Sequence, residues 1–132
     1  MSLEVGQTAT RSKTITEADV RAYADLIGDH NSIHLDEAYA AQSVFGRRVA
    51  HGMLSAGVIS AALANELPGP GTIYLSQNLK FKKPVFLGDT ITVTLTCTAY
   101  RAERRIATLS TTVTNQDGEV VIEGEATVIA PA

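Results

Sequence analysis

Between Gly28 and His34 the chain reads Gly-Asp-His-Asn-Ser-Ile-His, its densest run of groups able to move protons. Asp29 offers a carboxylate that can accept a proton from water, and His34, five residues on, an imidazole that can hold or return one. Aimed into one pocket, the two are competent for general acid/base work. The same spacing also suits a plain turn, in which Asp29 and Asn31 bond local backbone while His30 and His34 face water. A second chemical signal lies at Gly52, which opens an apolar helix. Glycine there lets a ligand approach the backbone, and its N–H adds to the positive helix end, so Gly52 is a candidate oxyanion hole. His51 beside it reads as a cap or a loop anchor rather than a second base. Met53, Ala56, Gly57 and Val58 would floor an apolar pocket, or equally pack against a sheet.

Other chemistries find little support in the sequence. No P-loop or dinucleotide-type glycine motif occurs. The 3 His have neither a Cys pair nor the spacing of a metal triad, so no metal is expected. Cys97 is the 1 cysteine, which excludes an internal disulfide, suits a reducing compartment and reads as a small buried hydrophobe.

These groups must be held by elements that the patterning outlines. Thr10 to Thr16 reads as a first strand. Thr16 then caps a helix, with Asp19 three residues on in a near capping box, and Val20, Tyr23, Ala24 and Ile27 form its apolar stripe. Gly28 fits the left-handed stop of that helix, leaving Asp29 to Ile33 as a loop. A short helix follows from Asp36 to about Ser43. From Gly52 to Leu67 the residues are apolar or small on every face, which predicts a central helix covered all round. Pro68-Gly69-Pro70-Gly71 ends it. Thr72 to Phe81, Thr90 to Tyr100, Ile106 to Asn115 and Glu119 to Ile129 then alternate as strands, with Asn115-Gln116-Asp117-Gly118 as a hairpin turn. The pattern is α+β: an antiparallel sheet with one buried helix.

Composition bounds the rest. With 132 residues, 45% hydrophobic and 19% charged, the chain has the size of one compact domain spanning 1–132. Lys+Arg 11 against Asp+Glu 14 leaves a net charge of -3, without the basic footprint of a nucleic-acid binder. The uncharged stretch from Val49 to Asn65 falls short of the roughly 20 apolar residues of a membrane span. Met1 to Gly6 lacks a basic start followed by an apolar run, so a cytoplasmic protein without a secretory signal is expected.

Three strings taken together are more specific than any one alone: Gly28 to His34, His51-Gly52-Met53, and Phe-Lys-Lys-Pro-Val-Phe-Leu-Gly-Asp from Phe81 to Asp89. With Gly71 to Gln77 added, they resemble, in order and separation over nearly the whole chain, the MaoC-like, R-specific enoyl-CoA hydratases, in their short single-domain form linked to polyhydroxyalkanoate synthesis. Two positions depart from the family pattern. Ser32 stands where proline is usual, which removes a fixed φ from the loop that aims His34, and Ile27 replaces a usual Ser or Thr.

The resemblance implies a hot-dog fold, a curved antiparallel sheet wrapped around a long central helix, and a homodimer. It implies Asp29 and His34 as a catalytic dyad and Ser60 as a third polar residue of the site, although a mid-helix serine also commonly bonds back to its preceding turn. Asn31 would orient water or hold the loop, and Met53 would touch substrate. Lys80, Lys82, Lys83, Arg47 and Arg48 are either partners for the phosphates of coenzyme A or a solvated rim. The implied reaction is reversible syn hydration of a trans-2-enoyl-CoA to an (R)-3-hydroxyacyl-CoA, with no cofactor beyond the coenzyme A thioester that is the substrate. Alternatives are dehydration of (3R)-hydroxyacyl carrier-protein thioesters, less readily a thioesterase, and a non-catalytic acyl-CoA binding module.

Overall fold

Alternation of β-branched and small residues carries through into a single five-stranded antiparallel sheet in the computed structural model, which describes residues 3–132. Met1 and Ser2, the start of the stretch read for a leader, lie outside the described residues. The strands are β1 (Thr8–Thr14), β2 (Ile73–Phe81), β3 (Thr90–Arg101), β4 (Ile106–Thr114) and β5 (Val120–Ile129). Their order is β1-β3-β4-β5-β2, so β1 and β2 are the edges. Register shifts at Tyr74/Ser76, Cys97/Ala99 and Val113/Thr114 bend the strands, as bulges do. In β4 buried and half-buried residues alternate from end to end. Asn115 shapes the turn into β5 by accepting, through Oδ1, from the backbone N–H groups of Asp117 and Glu119, each at 3.0 Å.

Helices fill the first half: α1 (Glu17–Ile27), α2 (Ser32–Leu35), α3 (Glu37–Ala41) and α4 (Gly52–Asn65). Both halves of the Thr16/Asp19 capping box form, and Gly28 stops α1 at φ 81, which a side chain would strain. Thr16 is thus the cap and not part of β1, which ends at Thr14. Of the expected stripe, Val20 and Ala24 are buried, but Ile27 is 51% exposed because α1 ends just where it would turn inward. The loop expected over Asp29 to Ile33 is shorter: Asn31 accepts from the Ile33 N–H and starts α2 at Ser32. Asp36 caps α3 in the same way, through Tyr39.

Against the sheet, α4 buries Val58, Ile59, Ala62 and Leu63, which join Val93, Leu95, Leu109 and Val128 in one core. It is not covered all round. Met53, Gly57, Ser60 and Ala64, one face at helical spacing, remain exposed. A helix apolar on every side carries no signal for which side the sheet leaves open.

Candidate active site

Gly28 turns the chain out of α1 and delivers Asp29, whose Oδ1 accepts from the Asn31 N–H at 3.3 Å. The single turn of α2 then carries His34 back over the start of α4. Three bonds fix it there. The Val49 N–H donates to the Ile33 carbonyl at 3.2 Å, Arg48 Nε donates to the His34 carbonyl at 2.6 Å, and the His34 ring itself meets the Val49 carbonyl through Nδ1 at 2.7 Å. Arg48 is mostly buried and is paired on its other side with Glu17 of α1, whose carboxyl it holds below the usual range.

A carbonyl can only accept, so the contact with Val49 places the His34 proton on Nδ1 and leaves Nε2 with its lone pair. Burial pulls the His34 pKa below the usual imidazole value, outweighing the carbonyl bond and Asp29, which raise it; the neighbouring His51 lowers it further. A neutral His34 with a free Nε2 is the result. By the same logic His51, whose Nε2 meets the Asp29 carbonyl at 3.0 Å, carries its proton on Nε2. A carboxylate oxygen of Asp29 and one ring nitrogen each of His34 and His51 lie within 4.8 Å of one another. A carboxylate and an imidazole that close leave room for one water bonded to both.

A cavity of about 470 Å³ opens beside them, lined by Asp29, His34, Gly52, Met53, Phe81 and Lys83 among others. Gly52 is the first residue of α4, and no side chain caps that helix end. A Cβ on Gly52 would lie 2.7 Å from Cε1 of the Phe81 ring, so any larger residue there would have to push the ring aside. The helix therefore presents a backbone N–H end to the cavity with no competing side chain.

The fold brings together Asp29, His34, Gly52 and Met53, and separates two other expected residues from them. Ser60 lies two turns along α4 in a second cavity, of about 390 Å³, with Tyr74 and Gln77; Met53 lines both cavities. Asn31 is spent on capping α2 and does not line the cavity. His51 occupies the cap position of α4 without capping it, and instead anchors the Asp29 loop. The basic residues divide. Lys82 and Lys83 border the cavity but are paired with Glu123 and Glu119, Arg47 stacks on Phe86 at 3.7 Å, and Lys80 stands apart from the cavity. Arg48, read as a phosphate partner or a solvated rim, is neither: it is mostly buried and bonded to the His34 carbonyl and Glu17. That role and the stacking of His51 on His34 depend on contacts across the fold, and no spacing signals them. The Asp29/His34/His51 cluster, equally invisible in sequence, offers few free donors, since one nitrogen of each ring is bonded to a carbonyl and His51 Nδ1 is buried.

The MaoC like domain family matches residues 3–119. The chain is 53% identical over 130 residues to a Rhodospirillum rubrum protein named (R)-specific enoyl-CoA hydratase, covering 98% of this chain and 90% of that one. It is 48% identical over 130 residues to the Aeromonas caviae protein of the same name, covering 98% and 97%. The solved structure of the (R)-hydratase from A. caviae involved in PHA biosynthesis superposes with a TM-score of 0.95 at 48% identity, covering 98% of each chain. The architecture is the hot-dog fold, with α4 as its central helix.

Proposed function

The chain belongs to the MaoC-like domain family, and from that premise we propose that it catalyses reversible syn addition of water to trans-2-enoyl-CoA, giving (R)-3-hydroxyacyl-CoA. It is an (R)-specific enoyl-CoA hydratase, a hydro-lyase. The observation that carries the chemistry is the free Nε2 of a neutral His34 beside the Asp29 carboxylate, in the cavity that Gly52 borders.

Asp29 and His34 hold one water. As its oxygen bonds C3, His34 Nε2 takes one of its protons and the C2=C3 π electrons move toward the thioester oxygen. The Gly52 N–H stabilises that developing enolate, an oxyanion contact worth roughly 3 to 4 kcal/mol. The imidazolium then returns its proton to C2 on the same face, restoring neutral His34. Asp29 accepts from the water's other hydrogen and stabilises the transient imidazolium. One group placed on one face both takes and returns the proton, so the addition is syn. Met53 lines both this cavity and the one that holds Ser60, and in this reading the acyl chain runs past Met53 toward Ser60.

The balance of this reaction needs no redox partner and no Lewis acid, and the reading assigns no cofactor: coenzyme A enters as substrate. Dialysis against a chelator is expected to leave turnover unchanged, and loss restored by added metal would overturn that part. No helix among the described residues is long and apolar enough to cross a membrane. The reading places the enzyme in the cytoplasm, supplying (R)-3-hydroxyacyl-CoA from fatty-acid β-oxidation to polyhydroxyalkanoate synthesis. It also makes the enzyme a homodimer, because edge strand β2 exposes Ile73 (56%) and Leu75 (51%), and Leu75 lines an open cavity with Met53 (56%) of α4. Sedimentation at a dimer's mass supports this; a monomer at micromolar concentration counts against it.

The direct test follows loss of enoyl-thioester absorbance with crotonyl-CoA, alongside Asp29→Asn and His34→Ala and with chiral analysis of the product. Turnover to the R product, lost by a factor of about 10² to 10⁴ in both variants, is expected. Near-normal turnover in both would remove the dyad, and activity confined to carrier-protein thioesters would move the substrate.

A further inference from the structure

His51 touches both members of the dyad and is used by neither step of the reaction. Its Nε2–H is bonded to the Asp29 carbonyl at 3.0 Å, and its ring stacks on that of His34 with centroids 3.8 Å apart and planes 29° from parallel. Tyr23 of α1 closes the other side edge-on at 4.9 Å. The residue is 2% exposed, so the ring has little freedom to turn. Its Nδ1 is buried without a partner, and so is the Ser55 hydroxyl, one helical turn further along α4 and 1% exposed.

We infer that His51 is the positioning residue of this site, gripping Asp29 by its backbone and His34 by its ring face. The inference rests on the dyad proposed above. The Asp29 carbonyl can only accept, and so holds the proton on Nε2. With Nδ1 protonated instead, Nε2 would turn a lone pair toward that carbonyl and the loop would lose its anchor. A displacement of the dyad by about 1 Å is enough to cost on the order of 10² in rate. The charged and titratable groups around the rings are Asp29 from the loop, His34 from α2, Tyr23 from α1 and Arg48 before α4.

Two variants of His51 separate its two contacts: His51→Phe keeps a ring and loses the donor, and His51→Gln keeps an amide donor and loses the ring. Steady-state kinetics with crotonyl-CoA on the intact protein should show kcat down about 10²-fold in His51→Phe, with KM within about threefold, and kcat partly restored in His51→Gln. The acid limb of the kcat/KM profile should move to higher pH in His51→Gln. Two stacked imidazoles resist both being charged, and removing one lets His34 take its proton sooner. The ¹⁵N imidazole signals of His51 in the parent protein should report the Nε2–H tautomer. If His51→Phe does not fold, as judged by circular dichroism, His51→Gln decides. Wild-type kcat and an unmoved acid limb in the folded His51 variants, while Asp29→Asn and His34→Ala are inactive, would overturn the positioning role and leave the dyad standing. Activity in Asp29→Asn and His34→Ala would instead overturn the dyad itself.

Discussion

Strand β4 and the segment from Gly28 to Leu35 are similar in length and opposite in construction. In β4 every second residue is buried, Leu109 and Val113 at 0%, and the strand is held by ladders on both sides and by apolar packing. The Gly28–Leu35 segment buries no residue fully and is held almost entirely by hydrogen bonds: a left-handed glycine, an asparagine cap, and the grips of Arg48, Val49 and His51. Apolar packing tolerates sliding contacts, whereas a hydrogen bond fixes direction. Stability is thus concentrated in one region and aim in the other, and substitutions in the two should fail differently.

The sharpest contrast comes from the dyad. Asp29→Asn and His34→Ala should lose about 10² to 10⁴ in kcat while their thermal midpoints stay near that of the parent. Leu109→Ala should reverse this. It is expected to cost about 2 to 5 kcal/mol in denaturant titration, with kcat per folded molecule unchanged. A Leu109 variant that folds yet is catalytically crippled would break the division.

A smaller effect follows from pH. Because burial lowers the His34 pKa in the folded protein, the base remains neutral below the ordinary imidazole value, and the acid limb of kcat/KM should fall below about 6.5. The linked stability has the same sign. The unfolded chain binds the proton first, so stability is complete above the unfolded pKa and declines as pH drops through it. An acid limb above the ordinary value would mean that Asp29 outweighs burial. Smallest is Gly28→Ala, which should cost about 1 kcal/mol for its left-handed backbone and blunt activity modestly, by loosening the cap from which Asp29 departs.

The same contrast governs what the sequence disclosed. Strand alternation, the Thr16/Asp19 box, the Gly28 stop and the Asn115 turn are local codes, each written within a few residues, and each formed. The Asn31 cap is local too, but asparagine followed by serine serves a turn as well as a helix start, and α2 went unread. The open face of α4 was hidden because small apolar residues surround that helix evenly. Asp29, His34 and Gly52 announced themselves by residue type and motif. Their support did not: Arg48 reaches the His34 carbonyl across 14 positions and His51 the Asp29 carbonyl across 22. Ser60 was placed by resemblance alone, and the fold sets it in the neighbouring cavity.

The strand order β1-β3-β4-β5-β2 also says something about time. Strands β3, β4 and β5 follow one another in the chain and pair as a meander, so their contacts close short loops and form early. Strand β2 must wait for β5, joining Phe81 to Ile122, and β1 for β3, joining Thr14 to Thr90. Phe81, which roofs Gly52, therefore arrives with one of the last strands to dock. In refolding from denaturant, recovery of catalytic turnover should trail recovery of the far-ultraviolet sheet signal, and the interval between them measures how long the nascent sheet stands with β5 uncovered.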